Sequence, residues 1–365
     1  MARKLKSDKI LFMATLLLIC VSVVMVYSAS AVYAMDKYGE PYFFLVRQAM
    51  WAALGMAMLG IVMRVDYRLY KQPVVIWTAL GVVALALVAV LFSAPINSAR
   101  RWFGFGGIGV QPSELAKLAA ILFIAALLER RMHRIDEISY SLLPIGVVLL
   151  VLVVLILLEP DFGTAMSLAI IAAVMVFAAG LNYRYIFGTL LASLPIIYIV
   201  LMGAAYRRRR LLAFLNPWGD PLGDGFQIIQ SLIAVGTGGV FGRGLMGGVQ
   251  KLFYLPEPHT DFIYAVVGEE LGLVGATAVL ICFCVIAWRG LRVALRAPDA
   301  FGSLLALGLT TMMAVQAFVN ISVVIGLMPT KGIPLPFVSA GGSSLVINLV
   351  GMGILLNVSQ QATGT

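Results

Sequence analysis

Apolar residues run along this chain in long blocks, separated by short stretches rich in polar residues, glycine and proline. Within the blocks the apolar character is continuous and does not alternate as in a barrel strand, so the pattern predicts membrane-spanning helices. Ten spans are expected, at 10–33, 42–63, 73–93, 113–128, 142–158, 163–180, 186–206, 263–288, 303–326 and 342–357. Several fall short of the roughly 20 residues that a perpendicular helix needs, so flanking loop residues are expected to extend them. The fifth and sixth are parted only by "EPDFGT", a break too polar for one continuous helix.

Composition sharpens that picture. Hydrophobic residues make up 61% of the chain and charged residues 12%, which excludes a soluble globular domain, where charge is near a quarter. The expectation is an all-α, polytopic integral membrane protein, one domain over 1–365, with a large external loop (207–262) between helices 7 and 8. "MARKLKSDK" before the first block resembles a signal peptide, but the apolar stretch is too long for a cleaved one, and a retained first helix is expected. Cys20, Cys282 and Cys284 all fall inside spans, and the last two point to different faces of one helix. They indicate neither a disulfide nor a metal site.

Basic residues set the orientation. With the N-terminus inside, the cytoplasmic segments hold 14 Lys and Arg and the opposite side 10, with Arg47 and Lys117 inside spans. Both termini are therefore expected in the cytoplasm. The external exceptions cluster in three loops. One carries Arg207–Arg210, Arg243 and Lys251; the second carries Arg100 and Arg101 beside Trp102; the third carries Lys331. Cations on the outer face suit an anionic, phosphate-bearing ligand, and a run of four arginines equally suits anionic lipid headgroups.

Several shorter patterns carry chemistry. The G-x-G-x-x-G at 104–109 follows no strand of a βαβ unit, so a dinucleotide site is rejected and the glycines are read as tight turns. In "QPSELAK", Pro112 suits a first helical turn, Ser113 a cap, and Glu114 and Lys117 share a face and can pair, as a structural staple or in a wet cavity. Asp161 is read as an N-cap of the next helix. Segment 226–249 reads as a half-inserted or interfacial helix followed by a mobile loop, and 329–342 as irregular backbone lining protein or a cavity. Asp261 stands where the eighth span begins, as a helix cap or as the first of several carboxylates descending with Glu269 and Glu270 from the outer mouth of a polar cavity. His259 is given no catalytic role.

Four motifs occur together: "NSARRWF…VQPSELAK", "EPDFGT", "LPEPHTDFIYAVVGEELGLVG" and "LMPTKGIPLPFVSAGGSSLVINLVGMGILLN". With them the chain resembles, over its whole length, the SEDS proteins (shape, elongation, division and sporulation), the FtsW/RodA family. "GEELG", "ARRW" and "PTKG" favour the FtsW, cell-division branch over the RodA, elongation branch. Ala340 departs from the tyrosine usual in "SYGGSS". The resemblance implies a bacterial plasma (inner) membrane glycosyltransferase that polymerises lipid II into peptidoglycan, with its active site on the external face. A class B penicillin-binding protein, other division proteins and membrane lipids are the implied partners, and no nucleic acid. The family's essential aspartate maps to Asp261, its cavity-lining residues map to Arg101, Glu114 and Lys117, and Lys331 lies in a family motif.

The implied reaction joins an acceptor 4-hydroxyl to the donor anomeric carbon and expels a diphosphate. It needs one base, expected at Asp261. It also needs cations for the leaving group, for which Arg101, Arg243, Lys117 and Lys331 are candidates. Glu269 and Glu270 are expected either to raise the pKa of Asp261 or to hold helix contacts. The reaction is compatible with a divalent cation such as Mg2+ bridging the substrate diphosphate, although nothing resembles an all-protein metal cage, and no other cofactor is indicated. The rival reading from another class is a transporter that flips lipid II, suggested by many helices and intramembrane charges.

Overall fold

The computed structural model describes residues 7–94, 100–105, 108–203 and 205–362. Arg3, Lys4 and Lys6, counted above for orientation, and residues 106–107 of the glycine motif lie outside the described residues. The chain is mostly helical: α1 (Lys9–Tyr38), α2 (Phe43–Val62), α3 (Pro73–Val90), α4 (Pro112–Arg131), α5 (Leu143–Leu158), α6 (Phe162–Ala178), α7 (Tyr183–Gly203), α8 (Ala205–Leu215), α9 (Phe226–Gly238), α10 (Ile263–Arg296), α11 (Ala300–Val324) and α12 (Gly342–Ser359). Phe103–Phe105 (β1) and Ile108–Val110 (β2) pair antiparallel, with Phe103 opposite Val110. The sequence reading expected turns there and no strands.

Among the described residues eight helices are long and apolar enough to cross a membrane: α1, α2, α3, α5 extended back to Ser139, α7, α10, α11 and α12. The expected fourth and sixth spans are also helices. However, α4 carries Glu114 and Lys117 in its first turns and Glu129, Arg130 and Arg131 in its last, and α6 has only 17 residues. Local signals fix the ends. Asp8 caps α1 by accepting from the amides of Ile10 and Leu11, both at 3.1 Å, and Asp299 caps α11 by accepting from Gly302. Ser113 does not cap α4. Gln111 holds the cap position, and its side-chain amide donates to Ser113 at 2.9 Å.

Buried α11 and α12 form the centre of the bundle. The second packs mainly on α2, while α11 packs on α10, α4 and α6, and α3 lies on α4. Lipid supplies no hydrophobic drive between helices, so buried polar links matter more than in a soluble core. At one end the Asp8 amide donates to Ser359 Oγ at 3.2 Å and the Asp8 carboxylate pairs with Arg289 at 2.6 Å. The two ends of the described chain therefore meet at the same end of the bundle.

The expected external loop 207–262 is half helix. Arg207–Arg210 lie on α8, and α9 follows it. The expected mobile loop after α9 is instead bonded into α10. That helix breaks at Gly272, whose φ of 67° and ψ of −165° a residue with a side chain rarely adopts. At the break the amides of Arg243 and Gly244 donate to the carbonyls of Glu269 and Glu270, and those of Leu273 and Val274 donate to Gly239 and Val240. The loop satisfies the backbone groups that the broken helix frees.

Candidate active site

Asp261 ends the loop before α10. The cap position belongs to Phe262 and no side chain caps the helix, so Asp261 is not the N-cap that its place in the sequence allowed. Its carboxylate is half-buried, with charged neighbours and, among the described residues, no hydrogen-bond donor. Burial pushes it up to about 7, helped by Glu257 and Asp161 and opposed by Arg210 and Arg101.

A second segment runs beside it. A Cβ added at Gly332 would stand 3.1 Å from Asp261 Oδ2, so glycine leaves the space that the carboxylate occupies. The neighbouring Lys331 reaches α6, with Nζ 3.4 Å from Met166 Sδ and 4.7 Å from the centre of the Phe162 ring. Burial lowers Lys331 to about 8, against the pull of Asp161.

The turn between α5 and α6 completes this side. Asp161 caps α6, accepting from the Thr164 amide at 3.1 Å and from the Thr164 hydroxyl at 2.7 Å, and Gln111 donates to it at 3.2 Å. The capping reading of Asp161 therefore holds. Arg101 spreads its guanidinium over this turn, donating to the carbonyls of Glu159 at 2.9 Å and Pro160 at 2.5 Å. Glu159 is fully buried with no partner on either carboxyl oxygen. Burial, then Asp161, pushes it up to about 8 against Arg101.

Glu114 and Lys117 pair at 2.7 Å in the interior, and Ser344 at the start of α12 donates to Glu114 at 3.2 Å. Ser343 beside it accepts from the Gln111 amide at 3.2 Å. Through Gln111 this pair is linked to the Asp161 turn.

Glu269 and Glu270 belong elsewhere, and the cavity of descending carboxylates expected from the sequence is not formed by them. Both are fully buried. Glu269 accepts from the amides of Val249 and Gln250, with Arg243 at 3.7 Å. Glu270 accepts from Ser28 at 2.7 Å, Lys251 at 2.6 Å and the Met246 amide at 3.0 Å. They pin the loop to α1 and α10, which fits their expected role in holding contacts. Arg243, expected among the ligand-binding cations, is engaged in this knot.

The site also contains residues that sequence reasoning missed. Arg210 stands close enough to Asp261 to lower its pKa, although the arginine run was open to a lipid-headgroup reading. Asn320, an amide on α11 with Gln316 one turn before it, was not singled out, and its presence inside a span was the available signal. His259 packs against the aromatic rings of Tyr33 and Phe44, and burial lowers its pKa.

Fold and site together define a polytopic helical membrane protein with a charged site built from loops at one end of its bundle. The chain belongs to the FtsW/RodA/SpoVE family: the model of that family, described as cell cycle protein, matches residues 8–364. A probable peptidoglycan glycosyltransferase FtsW of Geobacter metallireducens is 46% identical over 360 residues, covering 98% of this chain and 96% of that protein. Stage V sporulation protein E of Bacillus subtilis is 43% identical over 363 residues, covering 98% of each. Among solved structures, a chain from a peptidoglycan synthase complex that coordinates polymerization and crosslinking superposes with a TM-score of 0.81 at 31% identity, covering 98% of this chain and 99% of that one. The rod shape determining protein RodA of Thermus thermophilus superposes with a TM-score of 0.71 at 28% identity, covering 98% of each chain.

Proposed function

We propose that this chain polymerises lipid II into peptidoglycan glycan strands during septal wall synthesis, as a ten-span protein of the bacterial inner membrane. With α4 and α6 counted as crossings, both termini lie in the cytoplasm and the Asp261 site faces outward. The observation that carries the reading is the Asp261 carboxylate: half-buried, without a hydrogen-bond donor, and poised at about 7. A base near neutrality suits removal of a proton from a sugar hydroxyl.

In the proposed reaction the acceptor 4-hydroxyl oxygen attacks the donor anomeric carbon with inversion. The new carbon–oxygen bond forms as the bond to the diphosphate oxygen breaks. The hydroxyl proton passes to Asp261, and the electron pair leaves with the polyprenyl diphosphate. Arg101, Arg210 and Lys331 offset the charge that develops there, and the Glu114–Lys117 pair holds the inner wall. Among the described residues no three His, Cys, Asp or Glu side chains converge on one point. A divalent cation such as Mg2+ would arrive on the substrate diphosphate, and no step above is routed through it.

The synthase complex that this fold matches supports a class B penicillin-binding protein as partner. The RodA structures favour a second reading, the same chemistry in elongation. Septal against lateral localisation of a tagged chain separates the two. The chemistry is tested with Asp261→Asn, purified with its transpeptidase and given lipid II. Polymerisation is expected to fall by a factor on the order of 10² to 10⁴. Substantial polymerisation by folded, partner-bound Asp261→Asn would rule out the general-base role.

A further inference from the structure

We propose that Asn320 is a positioning residue that fixes the Asp261 carboxylate against the Lys331–Gly332 segment. The proposal rests on the general-base reading of Asp261. Asn320 lies in the last turns of α11 and is 2% exposed. Its Nδ2 donates to the carbonyl of Asp261 and to the carbonyl of Ile333, each at 2.8 Å. A single amide nitrogen thus clamps the base's own peptide unit to the strand that carries Lys331 and Gly332.

The clamp stands where no other bond does the work. Segments 259–261 and 333–340 are otherwise joined further back, through Ser339 Oγ to the Thr260 carbonyl at 2.6 Å and the Ala340 amide to the His259 carbonyl at 2.9 Å. Among the described residues the Asp261 carboxylate itself has no donor to orient it. Its direction is therefore set by its backbone and by the bare face of Gly332. Two carbonyls facing one –NH2 is also a demanding arrangement. A carboxylate in place of the amide would set lone pairs against lone pairs, and alanine would leave both carbonyls unpaired.

The bland reading is that Asn320 merely satisfies two loop carbonyls near the end of a buried helix. Asn320 Oδ1 argues against a role in stability alone, since it is buried with no donor, an arrangement that costs free energy. The charged groups that act most strongly on Asp261 are Glu257 in its own loop, Arg210 on α8, Arg101 before β1 and Asp161 at the start of α6. Loosening the clamp lets the carboxylate swing from its shelter toward water, where its proton affinity falls toward that of an ordinary carboxylate.

The test uses Asn320→Ala and Asn320→Asp in the full chain bound to its transpeptidase, with lipid II as substrate. Steady-state rates are measured across pH 5–9, and folding is checked by gel filtration and thermal unfolding. The expected result is a loss of kcat of at least about tenfold, with KM within about twofold. The acidic limb of the pH–rate profile is expected to move down from near 7. Gly332→Ala, at an exposed position and with the clamp intact, is expected to lower kcat and shift the same limb by crowding Oδ2. An unchanged kcat in folded Asn320→Ala overturns the proposal, and so does a loss of kcat with an unmoved limb. If both Asn320 variants fail to fold, an unaltered profile in Gly332→Ala overturns it. Asp261→Asn run in parallel separates the two failures: its retained activity sinks the general-base reading, whereas its loss beside a normal Asn320→Ala sinks only the clamp.

Discussion

Two groups of acidic side chains lie within ten residues of each other along the chain, and they are built on opposite terms. Glu269 and Glu270 sit in a knot where nearly every lone pair has a donor: backbone amides, Ser28, Lys251 and, more distantly, Arg243. Asp261 has charged neighbours but no donor, and Lys331 beside it is held by a thioether and an aromatic ring. Both groups keep ionisable chemistry away from bulk water, which is expensive in either case. Only the first returns that cost as hydrogen bonds. Under-coordinated ionisable side chains are the ones a substrate can still engage, so the contrast supports the proposed division, with stability held in one cluster and chemistry in the other.

The strongest way to break that contrast is to measure stability at both clusters. Lys251→Ala strips the cation from a fully buried Glu270, and Glu270→Ala strands a buried lysine. Each is expected to destabilise the protein by about 3–5 kcal/mol, read as a large fall in thermal midpoint in detergent. Replacing both together with apolar residues should recover part of the loss, because no buried charge is then left alone. Asp261→Asn, by contrast, is expected to leave the midpoint unchanged or raised, since an under-coordinated carboxylate contributes little to the fold. If Lys251→Ala proved neutral while Asp261→Asn unfolded the protein, the two roles would have to be exchanged.

The fold was legible where physics acts on composition and failed where it acts through distant contacts. Long apolar runs put a helix at every expected span, because bilayer thickness and backbone satisfaction leave a chain few options. However, α1 runs on to Tyr38 and α10 to Arg296, well beyond the expected ends. The N-cap role of Asp161 could also be read, since its partner Thr164 is three residues away. What could not be read was the partner across the bundle. Gly272 looked like any glycine in a span, and nothing local shows that a loop 30 residues earlier fills its break. Glu269 and Glu270 were adjacent to Asp261 in sequence and were grouped with it, although the helix turns them toward Ser28 and Lys251. Arg101 and Lys331 were expected among the cations for the leaving group. That they converge near the turn around Asp161 is a fact of the bundle and not of either segment.

A smaller effect sharpens the contrast from the side of the charged site. The base must have lost its proton and Lys331 must have kept its own. Rate is therefore expected to rise with pH through about 7, where Asp261 ionises, and to fall again above about 8, where Lys331 discharges. On the acid side the loss approaches about tenfold per pH unit. Lys331→Arg keeps its charge to far higher pH, so the alkaline limb should vanish while the acid limb stays. An alkaline limb unmoved in that variant would remove Lys331 from the list of working cations.

Glu159 predicts the smallest change, and one of opposite sign to the knot. It is a fully buried acid with neither oxygen paired, and Arg101 binds its backbone carbonyl and not its carboxyl group. With its folded value raised to about 8 and an unfolded value of about 4.3, the folded chain holds a proton that the unfolded chain has released. Stability from this group is present in full below about 4.3 and is lost progressively as pH rises to about 8. Glu159→Gln reproduces the shape of the neutral acid and cannot ionise. Its thermal midpoint should match the parent near pH 4 and exceed it by a few degrees at pH 8, with polymerisation little changed at neutral pH. Such a variant losing stability at pH 8 would mean that the Glu159 carboxyl group has a partner, as that of Glu270 does, and belongs with the knot.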